Sequence, residues 1–136
     1  MLSYISLLIV SILFGGMTLY SFGFAPLVFK NLDPATAAAF LRTAFKWYYV
    51  FVGGAAAIGA AALGALDTVG ALILLAVALV ALYARQGLMP QINSARDAQL
   101  AGDASAKTRF DRLHAVSVAL NMLQLVAVGF VLYGFV

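Results

Sequence analysis

The sequence predicts an all-α integral membrane protein, a bundle of four transmembrane helices, and three observations carry that prediction. Of the 136 residues, 65% are hydrophobic and only 10% charged, and the mean hydropathy is +1.04, which leaves too little polar surface to coat a soluble core. Long apolar runs alternate with short polar breaks, each run long enough to cross a bilayer. All eight Lys and Arg residues fall in, or within a few residues of, two of the three connections between runs. The chain reads as one domain, residues 1–136, with spans near 2–29, 47–66, 69–88 and 108–135.

Span one runs from Leu2 to Phe29 without a charge until Lys30. With no basic residue before it and no small-x-small cleavage site, it is expected to stay in the mature protein rather than act as a signal peptide. Pro26, after Gly23, is expected to kink or end it near the interface. Asn31-Leu32-Asp33-Pro34 then reads as a turn and a helix start, with Asp33 as N-cap and Pro34 in the first turn. A helix from Pro34 to Leu66 would be roughly 50 Å long against a hydrocarbon core of roughly 30 Å. Its amphipathic start, carrying Arg42 and Lys46, is therefore expected in the interface or water, and Trp47 to Leu66 in the membrane. Small residues recur through this span, for example Gly53, Ala57 and Ala61, and span one offers Ser11, Gly15, Thr18 and Ser21; both sets read as close helix packing.

Asp67-Thr68 makes a tight hairpin to span three, with Asp67 in an N-cap position. Span three continues past Arg85 until Pro90 stops or kinks it. The polar stretch from Gln91 to Lys107 is expected to hold a short helix, Pro90 to Leu100, broken at Gly102-Asp103 before span four, which Asp103 or Ser105 can cap.

Charge sets the expected orientation. The basic connections belong in the cytoplasm by the positive-inside rule, which puts both termini outside, in the periplasm if this is a Gram-negative inner-membrane protein. Phe45, Trp47, Tyr48, Tyr49 and Phe51 would then lie at the inner interface. The pI near 9.5 thus reports topology and not a nucleic-acid partner. The bilayer is the expected partner, together with further copies of the chain or a larger membrane complex. With no Cys and a single His, thiolate chemistry, iron–sulfur ligation and a multi-histidine metal cage within one chain are excluded, and no metal site is predicted. There is no Glu, no phosphate-cradling glycine loop and no Ser-His-Asp set, so neither a hydrolase nor an ATP-driven machine finds support.

Span four carries the candidate site. His114, Ser117, Asn121 and Gln124 are spaced by three, four and three, which places them on one helix face. With about 1.5 Å per residue, Gln124 lies about 18 Å from the outer end, near the midplane. Polar groups at that depth need partners, so the stripe is expected to face the bundle interior or another subunit. It reads either as interhelical hydrogen bonding or as the lining of a ligand path. His114 is a structural residue, a proton acceptor, an axial haem ligand or part of a shared metal site. For haem the internal methionines are Met17, Met89 and Met122, of which Met122 lies on another face of the span than His114. The segment Met89 to Asp97, with Asn93 and Arg96, is either a solvated, headgroup-binding loop or, with Arg42 or Lys46, a receptor for an anionic ligand or acidic partner.

Three segments together carry a resemblance: FGFAPLVFKNLDPATAAAFLRTAFKWYYVF from Phe22, MPQINSARDA from Met89, and FDRLHAVSVALNMLQLV from Phe110. They resemble the four-span transmembrane protein 205-like family, a domain of unknown function. The matching positions are Pro26 and Phe29 at the end of span one, Phe45, Tyr48 and Tyr49 at the start of span two, Pro90, Asn93 and Arg96 in the loop, and Phe110, His114, Ser117 and Asn121 in span four. The resemblance implies that Pro26, Tyr49, Arg96, His114 and Asn121 act together near the cytoplasmic mouth. It supplies no substrate; more distant look-alikes include copper-resistance membrane proteins and haem-associated four-helix proteins. Spans one and two show no convincing side-chain correspondence with three and four.

The leading expectation is a non-enzymatic binding, transport-related or accessory membrane subunit, with no cofactor. Its alternatives are a haem- or metal-linked redox protein using His114, and a small-solute or metal exporter lined by Ser117, Asn121 and Gln124.

Overall fold

The computed structural model describes all 136 residues. They form four helices: α1, Leu2–Asn31; α2, Pro34–Leu63; α3, Thr68–Leu100; and α4, Ala104–Tyr133. Each is long and apolar enough to cross a membrane; a 30-residue helix rises about 45 Å against a hydrocarbon layer of about 30 Å.

Three short connections join them. Asp33 caps α2, its Oδ1 accepting from the backbone N–H of Ala35 and of Thr36, both at 3.1 Å. Asp103 caps α4, accepting from the Ser105 N–H at 2.9 Å and the Ser105 hydroxyl at 2.6 Å. Gly102 before it takes φ +99°, the left-handed conformation that favours glycine. Asp67 occupies the N-cap position of α3, but its side chain makes no cap bond. The polar stretch after Pro90 is helical to Leu100, so only residues 101–103 separate α3 from α4.

The Asp33 cap is sensitive to pH. Hydrogen bonds from the Thr36 side chain, then its backbone N–H, hold the Asp33 carboxyl below the usual carboxylate range. Folding lowers this pKa, so the stabilisation is complete above the unfolded value of about 3.9 and is lost as pH falls through the folded value. Asp33→Ala is therefore expected to lower Tm at neutral pH, and the gap to wild type should close on acidification. Asp67→Ala should change Tm less; an equal loss in thermal melts of the two variants would contradict the cap assignment.

Neither proline in the apolar helices ends its helix. The turn before each widens instead, to π-helix over Leu19–Phe24 and Ala84–Leu88, and closes with an i to i−5 bond: Ala25 N–H to the Tyr20 carbonyl, and Met89 N–H to the Ala84 carbonyl. Pro26 and Pro90 follow by one residue. A proline lacks the N–H and crowds the carbonyl four residues back, and the wider turn accommodates both effects.

Sequential helices are spatial neighbours, and the ring closes through α1 against α4; the diagonals α1–α3 and α2–α4 make no close backbone approach. Val10 and Leu13 of α1, Val52 of α2, Leu74 and Val77 of α3 and Val128 of α4 fill the centre. Only some of the small residues lie on contact faces. Gly53, Thr18 and Ser21 are half-buried, but Ala57, Ala61, Ser11 and Gly15 are exposed on the lipid side, whereas α2 buries Val52, Ala56, Gly59 and Leu63, and α1 buries Ser6, Val10, Leu13 and Met17. When neighbouring helices and lipid are equally apolar, a run of small residues on all sides does not single out one face.

The ring is not closed along its whole length. The backbone of residues 2–18 of α1 packs close to that of α4, whereas residues 19–31, from the π turn onward, reach α4 through side chains, Ser21 to Asn121 and Phe29 against His114. The two backbones therefore part at the end that carries the eight basic residues.

Candidate functional site

The polar stripe of α4 faces inward. Gln124 is 4% exposed, and its Nε2 donates to the Val77 carbonyl of α3 at 2.9 Å. Asn121 is the centre of a three-helix tie: Tyr48 of α2 donates its hydroxyl to Asn121 Oδ1 at 2.5 Å, and Asn121 Nδ2 donates to Ser21 Oγ of α1 at 2.7 Å. The Ser117 hydroxyl turns back to its own helix, donating to the His114 carbonyl at 2.8 Å.

Where α1 and α4 part, two chambers abut. The first, of about 210 Å³, has Arg42, Asn93, Arg96 and His114 as its polar lining. The second, of about 200 Å³, lies deeper and is largely aromatic, with Tyr20, Tyr48 and Tyr49 beside Asn121. Phe29, Phe45, His114 and Ser117 line both. A dry engineered cavity of about 150 Å³ already accepts benzene, so each chamber has room for a ring or a chain segment of similar bulk.

Stacked side chains shape the chambers. Arg96 lays its Cζ 3.7 Å from the centre of the Phe110 ring, and His114 stacks on the same ring at 5.6 Å with planes 7° apart. Such a cation–π contact contributes about 0.5–2 kcal/mol. Phe29 of α1 meets His114 edge-on at 6.4 Å. In the second chamber Tyr20 stacks on Tyr48 at 4.1 Å. The Tyr20 hydroxyl is buried and has no partner within the chain, a condition that costs about 1–3 kcal/mol for a group shut off from acceptors.

Arg42 is paired with Asp97 at 2.5 Å, the bond that joins α2 to the polar end of α3. Arg96 makes no ion pair; it donates to the Gln99 side chain at 3.1 Å. A shallower groove next to the first chamber is lined by Lys46, Arg85 and Arg42, and there the Arg85 Nε is buried without a partner.

The structure thus brings His114, Ser117, Asn121, Arg96, Asn93 and Tyr49 around the paired chambers, and leaves Gln124 outside them, tied to α3. Met122, on another face of the helix by simple spacing, lines the same chamber as His114. Tyr20, Ser21 and Phe29 also line the deeper chamber, beyond the residues that the α4 stripe and the polar loop point to. Phe29 is marked in the sequence by the family resemblance and Ser21 by its small side chain, while Tyr20 has only its nearness to Pro26, whose π turn sets the rotation of that part of α1.

Fold and site define the class: a four-helix membrane protein with a polar and aromatic cleft inside its basic end. Within that class, the chain belongs to the family described as a domain of unknown function, DUF4149, which matches residues 8–101. The match takes in most of α1 and all of α2 and α3, and stops before α4 begins. No curated protein and no solved structure matches the chain.

Proposed function

We propose that the protein is a non-enzymatic membrane binding protein, transport-related or an accessory subunit, whose guest occupies the paired chambers and reaches them between α1 and α4. The observation that carries this reading is the parting of the backbone of residues 19–31 from that of α4, which leaves open volume beside His114 and Ser117 and along the tyrosines at the edge of the core. The transmembrane protein 205-like pattern of Phe110, His114, Ser117 and Asn121 supports treating these side chains as one site.

The absence of native cysteine makes a direct test simple. Ser117→Cys is expected to react with N-ethylmaleimide in the folded protein, because position 117 lines both chambers. Gln124→Cys, on the same stripe but outside them, is expected to stay inert. Equal inertness of the two, in protein shown to be folded by its melting transition, would overturn the reading.

In this reading the basic end lies in the cytoplasm and the termini lie outside a cytoplasmic membrane, because Lys and Arg are retained on the inner side. Alkaline phosphatase fused after Val136 should be active and a fluorescent protein fused there dark; the reverse pair would invert the topology. Self-association, or membership of a larger membrane complex, belongs to the same proposal.

A further inference from the structure

The charge around the cleft is one-sided. No Asp lines either chamber or the adjoining groove, while Arg42, Lys46, Arg85 and Arg96 do. Of these four, Arg42 alone is ion-paired. Arg96 is held flat by Phe110 and uses one donor on Gln99, which leaves the rest of its fork free. Asn93, in the same chamber, makes no side-chain hydrogen bond within the protein, nor does the His114 ring. These donors, with Arg96 facing Asp111 only through space and not in an ion pair, suit an oxyanion, which a guanidinium receives through parallel N–H bonds.

The deeper chamber is more apolar. Tyr20, Phe29, Phe45 and Met122 wall it, with Ser117 and Asn121 along α4, and it lies where the backbones of α1 and α4 stand apart. An oxyanion site that continues into a mostly apolar slot matches a molecule with a charged head and an apolar chain.

We infer that the guest is a single-chain anionic amphiphile, a fatty-acid-like carboxylate or the equivalent alkyl phosphate, with its head at Arg96 and Asn93 and its chain running past His114 and Ser117 between α1 and α4. This rests on the binding reading above and names the ligand class for the same cleft. It also separates this site from one for cations, which the guanidinium of Arg96 would repel.

The test uses the full chain carrying Ser117→Cys, in phosphatidylcholine nanodiscs, and reads protection from N-ethylmaleimide, so that amphiphile dissolved in lipid alone gives no signal. Laurate or dodecyl phosphate should protect at concentrations at least about tenfold below those of dodecanol, the loss expected when a charge-assisted contact is missing. Dodecyltrimethylammonium should protect least. Whichever of laurate and dodecyl phosphate acts at the lower concentration identifies the oxyanion. Arg96→Gln should bring the anionic probes to the level of dodecanol, and Arg96→Lys should keep part of the preference, which a merely structural arginine would not do. Equal protection by laurate and dodecanol in the protein with Arg96 intact would overturn the anionic assignment and leave the cleft reading in place. Protection by inorganic phosphate as effective as by dodecyl phosphate would overturn the chain-binding half. A Ser117→Cys protein that never reacts would remove the cleft reading and this inference with it.

Discussion

Gly59→Val is expected to destabilise the bundle by about 1–3 kcal/mol, the usual result of forcing methyl groups into a filled interior. A Cβ at this position would lie 2.9 Å from Leu74 Cδ1 and 3.4 Å from Ile9 Cγ2. Leu74 is 0% exposed at the centre of the bundle, so its methyl group has nowhere to move. Gly16 makes the useful contrast. A Cβ there would come even closer to a neighbour, 2.6 Å from Phe51 Cζ, yet Phe51 is 36% exposed on the lipid side and can swing away. Gly16→Ala should therefore be close to neutral, helped by a helix propensity gain of up to about 1 kcal/mol. Unfolding in mixed micelles would measure both; a Gly59→Val protein as stable as wild type would show that α1, α2 and α3 do not meet at this point.

Asn121→Leu is the second large effect expected, about 1–2 kcal/mol. It removes at once the acceptor of the Tyr48 hydroxyl and the donor to Ser21. Hydrogen bonds between membrane helices average only about 0.6 kcal/mol, with a maximum near 1.7. This residue makes two of them, to two helices, and its loss leaves two hydroxyl groups part-buried without their partner. Tyr48→Phe alone should cost less than Asn121→Leu. Added to Asn121→Leu it should cost almost nothing more, since the hydroxyl it removes has already lost its acceptor. Strictly additive losses in that cycle would mean that the Tyr48–Asn121 bond does not hold α2 to α4. Gln124→Leu should sit below both, near the average for one bond, because the Val77 carbonyl it engages is within a helix that already supplies that acceptor with a partner.

Much of the architecture was legible in the amino-acid order because it follows from short-range rules. Run length and hydropathy located the four helices. Asp33-Pro34 and Gly102-Asp103 marked helix boundaries through backbone chemistry that acts within a few residues. The spacing of His114, Ser117, Asn121 and Gln124 placed them on one face, and the need to pair polar groups in an apolar medium pointed that face inward.

Other features depended on which helix stands opposite which. Asn121 and Gln124 are alike in a sequence, yet one borders a chamber and the other is spent on Val77, because the backbone of residues 19–31 of α1 stands off from α4 while that of residues 2–18 does not. The π turn before Pro26 brings Tyr20 and Ser21 into the site, although a strict 3.6-residue period gives no warning of the added rotation. The packed faces of α1 and α2 were equally hidden, since small and apolar side chains surround both helices. The sequence by itself thus determined the number of helices, the caps at Asp33 and Asp103 and the inward direction of the α4 stripe, each governed by local hydrogen bonding and solvation. Only the tertiary structure decided the faces in contact and the parting that makes a cleft, because in lipid those depend on shape complementarity between whole helices and not on any contrast in polarity along one of them.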